Sequence, residues 1–159
     1  MSQATALPES TLAQRLGNAA RIFAAALWWG SLTTVCFVIA PLLFVYLPTP
    51  AMAGQLAAKL FTVQTWVSCA CALVLLWGLR SNAQTGDASR AQSAMLFIAL
   101  GMLLALLVEF GVAPRIVARE NHRLWHSVGV LLFSLQWCCA ALVLWKTTLT
   151  PETLRDRPK

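Results

Sequence analysis

The sequence predicts an all-α protein, a four-helix transmembrane bundle running up-down-up-down with both termini cytoplasmic. Three observations predict it. Four apolar stretches, about residues 22–47, 60–79, 94–112 and 124–145, are free of Lys and Arg. Each is long enough to cross a hydrocarbon core of about 30 Å at about 1.5 Å per residue. With 58% apolar and 11% charged residues, the 159-residue chain has too little polar surface for a soluble globule of its size. The runs are continuous, which favours helices over a barrel, whose strands alternate over about 10 residues.

Four spans consume most of the chain. Residues 1–20 read as a cytoplasmic N-terminal segment, 21–147 as the transmembrane domain and 148–159 as a cytoplasmic tail. Any activity therefore belongs among the helices or in their short connections. The net charge of +6 is spread around the spans rather than gathered into a patch, which argues against nucleic acid and for a charged fringe on a lipid bilayer. Arg15, Arg21, Arg80, Arg90, Lys146, Arg155, Arg157 and Lys159 fall on the side of the termini, against Lys59, Arg115, Arg119 and Arg123 on the other. That bias places the termini in the cytoplasm of a multi-pass inner-membrane protein. Ala51, Met52 and Ala53 form an A-x-A site, but the run before it is about twice the length of a signal core, so the first span is expected to be retained.

In span 1, Pro41 removes an N–H, frees the carbonyl of Phe37 and is expected to kink the helix. Ala26, Gly30 and Thr34 recur every four residues as a small-residue ridge where another helix can approach. Pro48 and Pro50 stop the helix, and a first loop of about 48–58 turns the chain into span 2. Span 2 carries Gln64, Thr65 and Ser68, a weakly polar stripe that should look inward because lipid offers it no partner. Span 3 has Gly101 and Ala105 at small-residue spacing and ends near Pro114; span 4 opens at Leu124, Trp125, His126 and Ser127.

Inside the spans lie two strongly ionisable side chains, Glu109 and His126. Burial at that depth is costly unless the group is paired or functional. They are symmetric about the loop joining spans 3 and 4, so they are expected at one level, facing each other, as a proton-accepting pair or half of a metal site. Gln64 and Thr65 stand at comparable depth as further oxygen donors. The alternative pairs Glu109 with Arg115 or Arg119 and leaves His126 as a helix tie. Arg115, Arg119 and Arg123 are spaced to contact anionic headgroups; a solvated loop is the default. Cys69 with Cys71 and Cys138 with Cys139 diverge around a helix too widely to chelate as a C-x-x-C pair does. No phosphate-binding glycine loop, nucleophile elbow, H-E-x-x-H or haem-attachment motif is present.

Gly30, the run Phe37 to Pro41 followed by Leu43 and Phe44, the stretch Val112 to Ile116, and the pair His126 and Ser127 resemble the transmembrane protein 205-like family of small four-helix membrane proteins. That family is similar in turn to copper-resistance protein D-like proteins, a resemblance that implies haem or copper as cofactor and His126 as its ligand. A single histidine within the spans does not match a two-His haem or multi-His copper site. The sequence thus points to a non-enzymatic membrane protein that handles a small ligand or metal ion near Glu109 and His126. The alternatives are a haem-linked redox subunit, or a structural partner of another membrane protein or of a second copy in a homo-oligomer.

Overall fold

The computed structural model describes residues 9–82, 88–118 and 121–148, and among these it contains helices and no strand. The order is α1 (Glu9–Thr34), a π-turn (Val35–Ile39), α2 (Ala40–Tyr46), α3 (Pro50–Asn82), α4 (Ala88–Leu106), a second π-turn (Leu107–Val112), α5 (Ala113–Val117) and α6 (His122–Thr148). These build four spans long and apolar enough to cross a membrane: Leu12–Tyr46, Pro50–Leu79, Ala91–Val117 and Arg123–Thr148. The expected multi-pass four-helix architecture is therefore present.

Each span packs on its chain neighbours, and span 4 closes the square against span 1. The centre is filled by Ala25, Trp28, Leu32, Leu75, Ile98, Ala140 and Val143, all fully buried. Trp28 of α1 reaches toward α4, where Gly101 leaves room for it: a Cβ built on Gly101 would stand 2.8 Å from Trp28 Cη2. Apolar side chains such as Phe23, Val45, Trp77 and Trp145 cover the outside, as a lipid-facing surface requires. Lys146 donates to Ser93 Oγ at 3.0 Å and ties the last span to the third beside the termini.

Two boundaries differ from the sequence reading. Span 2 starts at Pro50 rather than near residue 60, leaving a bend of only Leu47 to Thr49 between the first two spans. Thr49 explains it. Its Oγ1 accepts from the Met52 N–H at 3.3 Å and its carbonyl from the Ala53 N–H at 3.1 Å, while Pro50 occupies the first helical position. At the other end of the hairpin pair, helix continues through Pro114 to Val117, shortening the third loop.

Neither membrane proline breaks its helix. Each is preceded by a widened turn in which the N–H of the residue before proline bonds five residues back: Ala40 to the Val35 carbonyl, Ala113 to the Val108 carbonyl. A proline ring collides with the carbonyl four residues earlier in a regular α-helix. Widening the turn accommodates that clash without ending the span.

Candidate functional site

The inner face of α3 carries a file of polar side chains through the bundle. Thr62, Gln64, Thr65 and Ser68 lie within two turns of one another, and the last three are buried. Gln64 and Gln136 each fall within one residue of the midpoint of their span, so this layer sits at mid-depth. Lipid supplies no partner there, and the polar groups must satisfy one another.

They do so through Ser68. Its hydroxyl donates to the Gln64 carbonyl at 2.8 Å and accepts from Gln136 Nε2 at 3.0 Å and from Gln64 Nε2 at 3.3 Å. Gln64 Nε2 also donates to Ser31 Oγ of α1 at 3.0 Å, and Ser31 returns its proton to the Trp28 carbonyl at 3.1 Å. One layer thereby joins spans 1, 2 and 4. Thr65 is spent on its own helix, donating to the Phe61 carbonyl. Nearby, Trp137 Nε1 donates to Thr33 Oγ1 at 2.9 Å and its ring lies 5.8 Å from that of Trp29. The indole N–H groups of Trp28 and Trp29 are buried with no acceptor among the described residues.

Toward the loop that joins spans 1 and 2, the file ends at Glu109. This residue is half-buried on the second π-turn, and Thr62 Oγ1 donates to its Oε1 at 2.9 Å. Thr62 is shared, since it also lies 3.3 Å from the Ala58 carbonyl, the ordinary back-bond of a helical threonine. Glu109 is the sole Asp or Glu within the four spans. Toward the termini the path is closed by Leu75, Ile98 and Val143, all apolar and fully buried.

His126 lies on α6, which packs against the π-turn bearing Glu109, and the histidine is exposed. Arg115 is also exposed; its guanidinium donates to the Gly111 carbonyl at 2.9 Å and lies 4.3 Å over the Trp125 ring. Arg123 is exposed, and Arg119 lies outside the described residues. The two expected small-residue ridges part company. Gly101 and Ala105 are buried against the bundle centre, whereas Ala26 and Thr34 are exposed and nothing lies within 4 Å of a Cβ built at Gly30, so that ridge faces outward.

Ser31, Thr62 and Gln136 belong to the site and are missing from the sequence reading. Gln136 had a legible signal, a full amide in the middle of an apolar run, which a search for ionisable groups alone passes over. Ser31 and Thr62 had none, because hydroxyls are common in membrane helices and usually bond their own backbone. Among the described residues no three His, Cys, Asp or Glu come together as a metal site, and all five cysteines are free.

A family model described as a domain of unknown function (DUF4149) matches residues 23–124, which covers most of the first span, the whole of the second and third, and the whole polar file except Gln136. The match carries no support specific to the transmembrane protein 205-like or copper-resistance protein D-like relation. No curated protein and no solved structure matches the chain.

Proposed function

The chain belongs to the DUF4149 family, and on that premise we propose that it is a non-catalytic multi-pass membrane protein holding a small cationic or polar ligand at Glu109. One observation carries the reading: the sole carboxylate of the spans is held across helices by Thr62 at the head of a hydroxyl and amide file. A carboxylate needed only for folding would be an expensive choice at this depth, where an apolar side chain packs at no desolvation cost. The charge bias of the loops supports placing this end of the bundle on the outer side of the cytoplasmic membrane. Gln64 extends the file inward, and His126 lies on the helix packed against the same π-turn.

The test titrates the detergent-purified protein with sodium, calcium and tetramethylammonium chlorides at matched ionic strength, reading thermal stability. The wild type should gain stability with at least one of these cations and Glu109→Gln should not. An equal response of both proteins to every cation overturns the reading.

A further inference from the structure

The two hairpins of the bundle read as one unit written twice. Phe37, Ile39, Ala40 and Pro41 of span 1 correspond in order to Phe110, Val112, Ala113 and Pro114 of span 3. Phe61 and Gln64 of span 2 correspond to Phe133 and Gln136 of span 4, at a shift one residue shorter. Burial repeats in the same register. Ala25, Trp28 and Leu32 are buried, and so are their counterparts Ile98, Gly101 and Ala105; Gln64 and Cys71 are buried, and so are Gln136 and Val143. Equivalent residues meet at the centre: Trp28 against Gly101, the Phe61 and Phe133 rings edge-to-face at 5.3 Å, and the two glutamines on one serine hydroxyl.

Any two amphipathic helices share a burial period, but that does not give them the same widened turn at the same place. Here both π-turns stop immediately before an alanine–proline pair and are closed by the same five-back bond from that alanine. Spans 1 and 3 run in one direction, so the two turns stand on the same side of mid-depth. Beyond them the packing changes. α2 packs against α3 and α5 against α6, each within its own hairpin, whereas the longer helices before them pack both within their hairpins and across them, α1 on α6 and α3 on α4. A short lever on a locally loosened helical ladder is free to pivot where its packing to the other hairpin thins. On this side Thr62 and Glu109 join one hairpin to the other.

We propose that this end of the bundle is a gate in which α2 and α5 pivot on the paired π-turns, Val35–Ile39 and Leu107–Val112, and the Thr62–Glu109 hydrogen bond latches it over the file ending at Gln64, Ser68 and Gln136. For its ligand the gate rests on the reading of Glu109 as a binding carboxylate; for its motion it does not. Opening exposes a half-path that runs one turn past the Ser68 layer to Cys139 and stops at Leu75, Ile98 and Val143, which stay packed.

The test reads the native thiol of Cys139, buried one turn beyond Gln136, in the full chain reconstituted in nanodiscs in a Cys138→Ala background. A cationic, membrane-impermeant methanethiosulfonate reaches that thiol only along water, and peptide mass spectrometry reports its rate of modification. Thr62→Val removes the latch donor without changing side-chain shape. It should raise the rate about threefold or more, the effect of one interhelical hydrogen bond in a membrane, while Thr62→Ser keeps the wild-type rate. Pro114→Ala restores an N–H to the second hinge and should slow amide hydrogen exchange over residues 107–118 about twofold or more. Failure of either arm overturns the gate, and the exchange arm decides if Thr62→Val does not fold. A cation response lost in Glu109→Gln with no effect of Thr62→Val keeps the binding site and removes the gate. The converse keeps the gate and removes the site.

Discussion

Gln136 of α6 donates across the bundle to Ser68 of α3 at 3.0 Å, joining two helices that are otherwise diagonal to each other. The same hydroxyl serves Gln64, so one serine accepts an N–H from each of two amides at mid-depth.

That economy makes Ser68 the keystone of the layer and Gln136 a dependent. Ser68→Ala strands two buried amide N–H groups and should cost about 1–3 kcal/mol. Gln136→Leu leaves Ser68 with Gln64 and should cost under about 1 kcal/mol, in line with single polar ties inside membranes. Adding Gln136→Leu to Ser68→Ala should then cost little more. Unfolding of the three detergent-solubilised variants measures the cycle, and equal losses for the two single variants would contradict it.

Two glycines should respond in opposite ways. Gly101→Ala drives a methyl into the fully buried Trp28 ring and should destabilise by about 1–3 kcal/mol. Gly30→Ala meets open space and should be neutral or stabilising by up to about 1 kcal/mol, from helix propensity alone. Thermal unfolding followed by near-ultraviolet circular dichroism reads both, and the Trp28 signal should change only in the first.

The start of α3 depends on a single cap. Thr49→Ala removes the acceptor for the Met52 N–H and should cost about 1 kcal/mol, with faster amide exchange confined to the first turns after Pro50. Thr49→Ser should restore protection. Exchange that rises along the whole of α3 would show that the cap is not what sets this boundary.

Glu109 separates stability from function. Glu109→Leu removes the span's carboxylate and frees the Thr62 hydroxyl to fall back on the Ala58 carbonyl, 3.3 Å away. The variant should match or exceed the wild type in thermal stability while losing the cation response. A loss of more than about 2 kcal/mol would assign Glu109 to the fold instead.

Much of the fold was legible because span length and apolar continuity are local properties. The second and third spans still began or ended away from the expected residues. Thr49 and Pro50 start a helix inside what composition reads as a loop, and Pro114 reads as a stop until the widened turn before it is seen. The site was legible in part. Gln64 and Glu109 announce themselves by their cost in lipid, whereas Thr62 becomes a site residue only because the second π-turn aims Glu109 at it.

The sequence by itself determined that this chain carries four stretches long and apolar enough to cross a membrane, since hydrophobicity over about 20 residues depends on no contact between helices. It also determined where the costly polar groups lie along each span. Only the tertiary structure decided who satisfies whom: that Ser68 takes both glutamines, that Gly101 rather than Gly30 receives a neighbour, and that two prolines become paired π-turns. The reason is that partner choice in a bundle is set by the rotation and depth of each helix against the others, and a single helix's periodicity leaves both free.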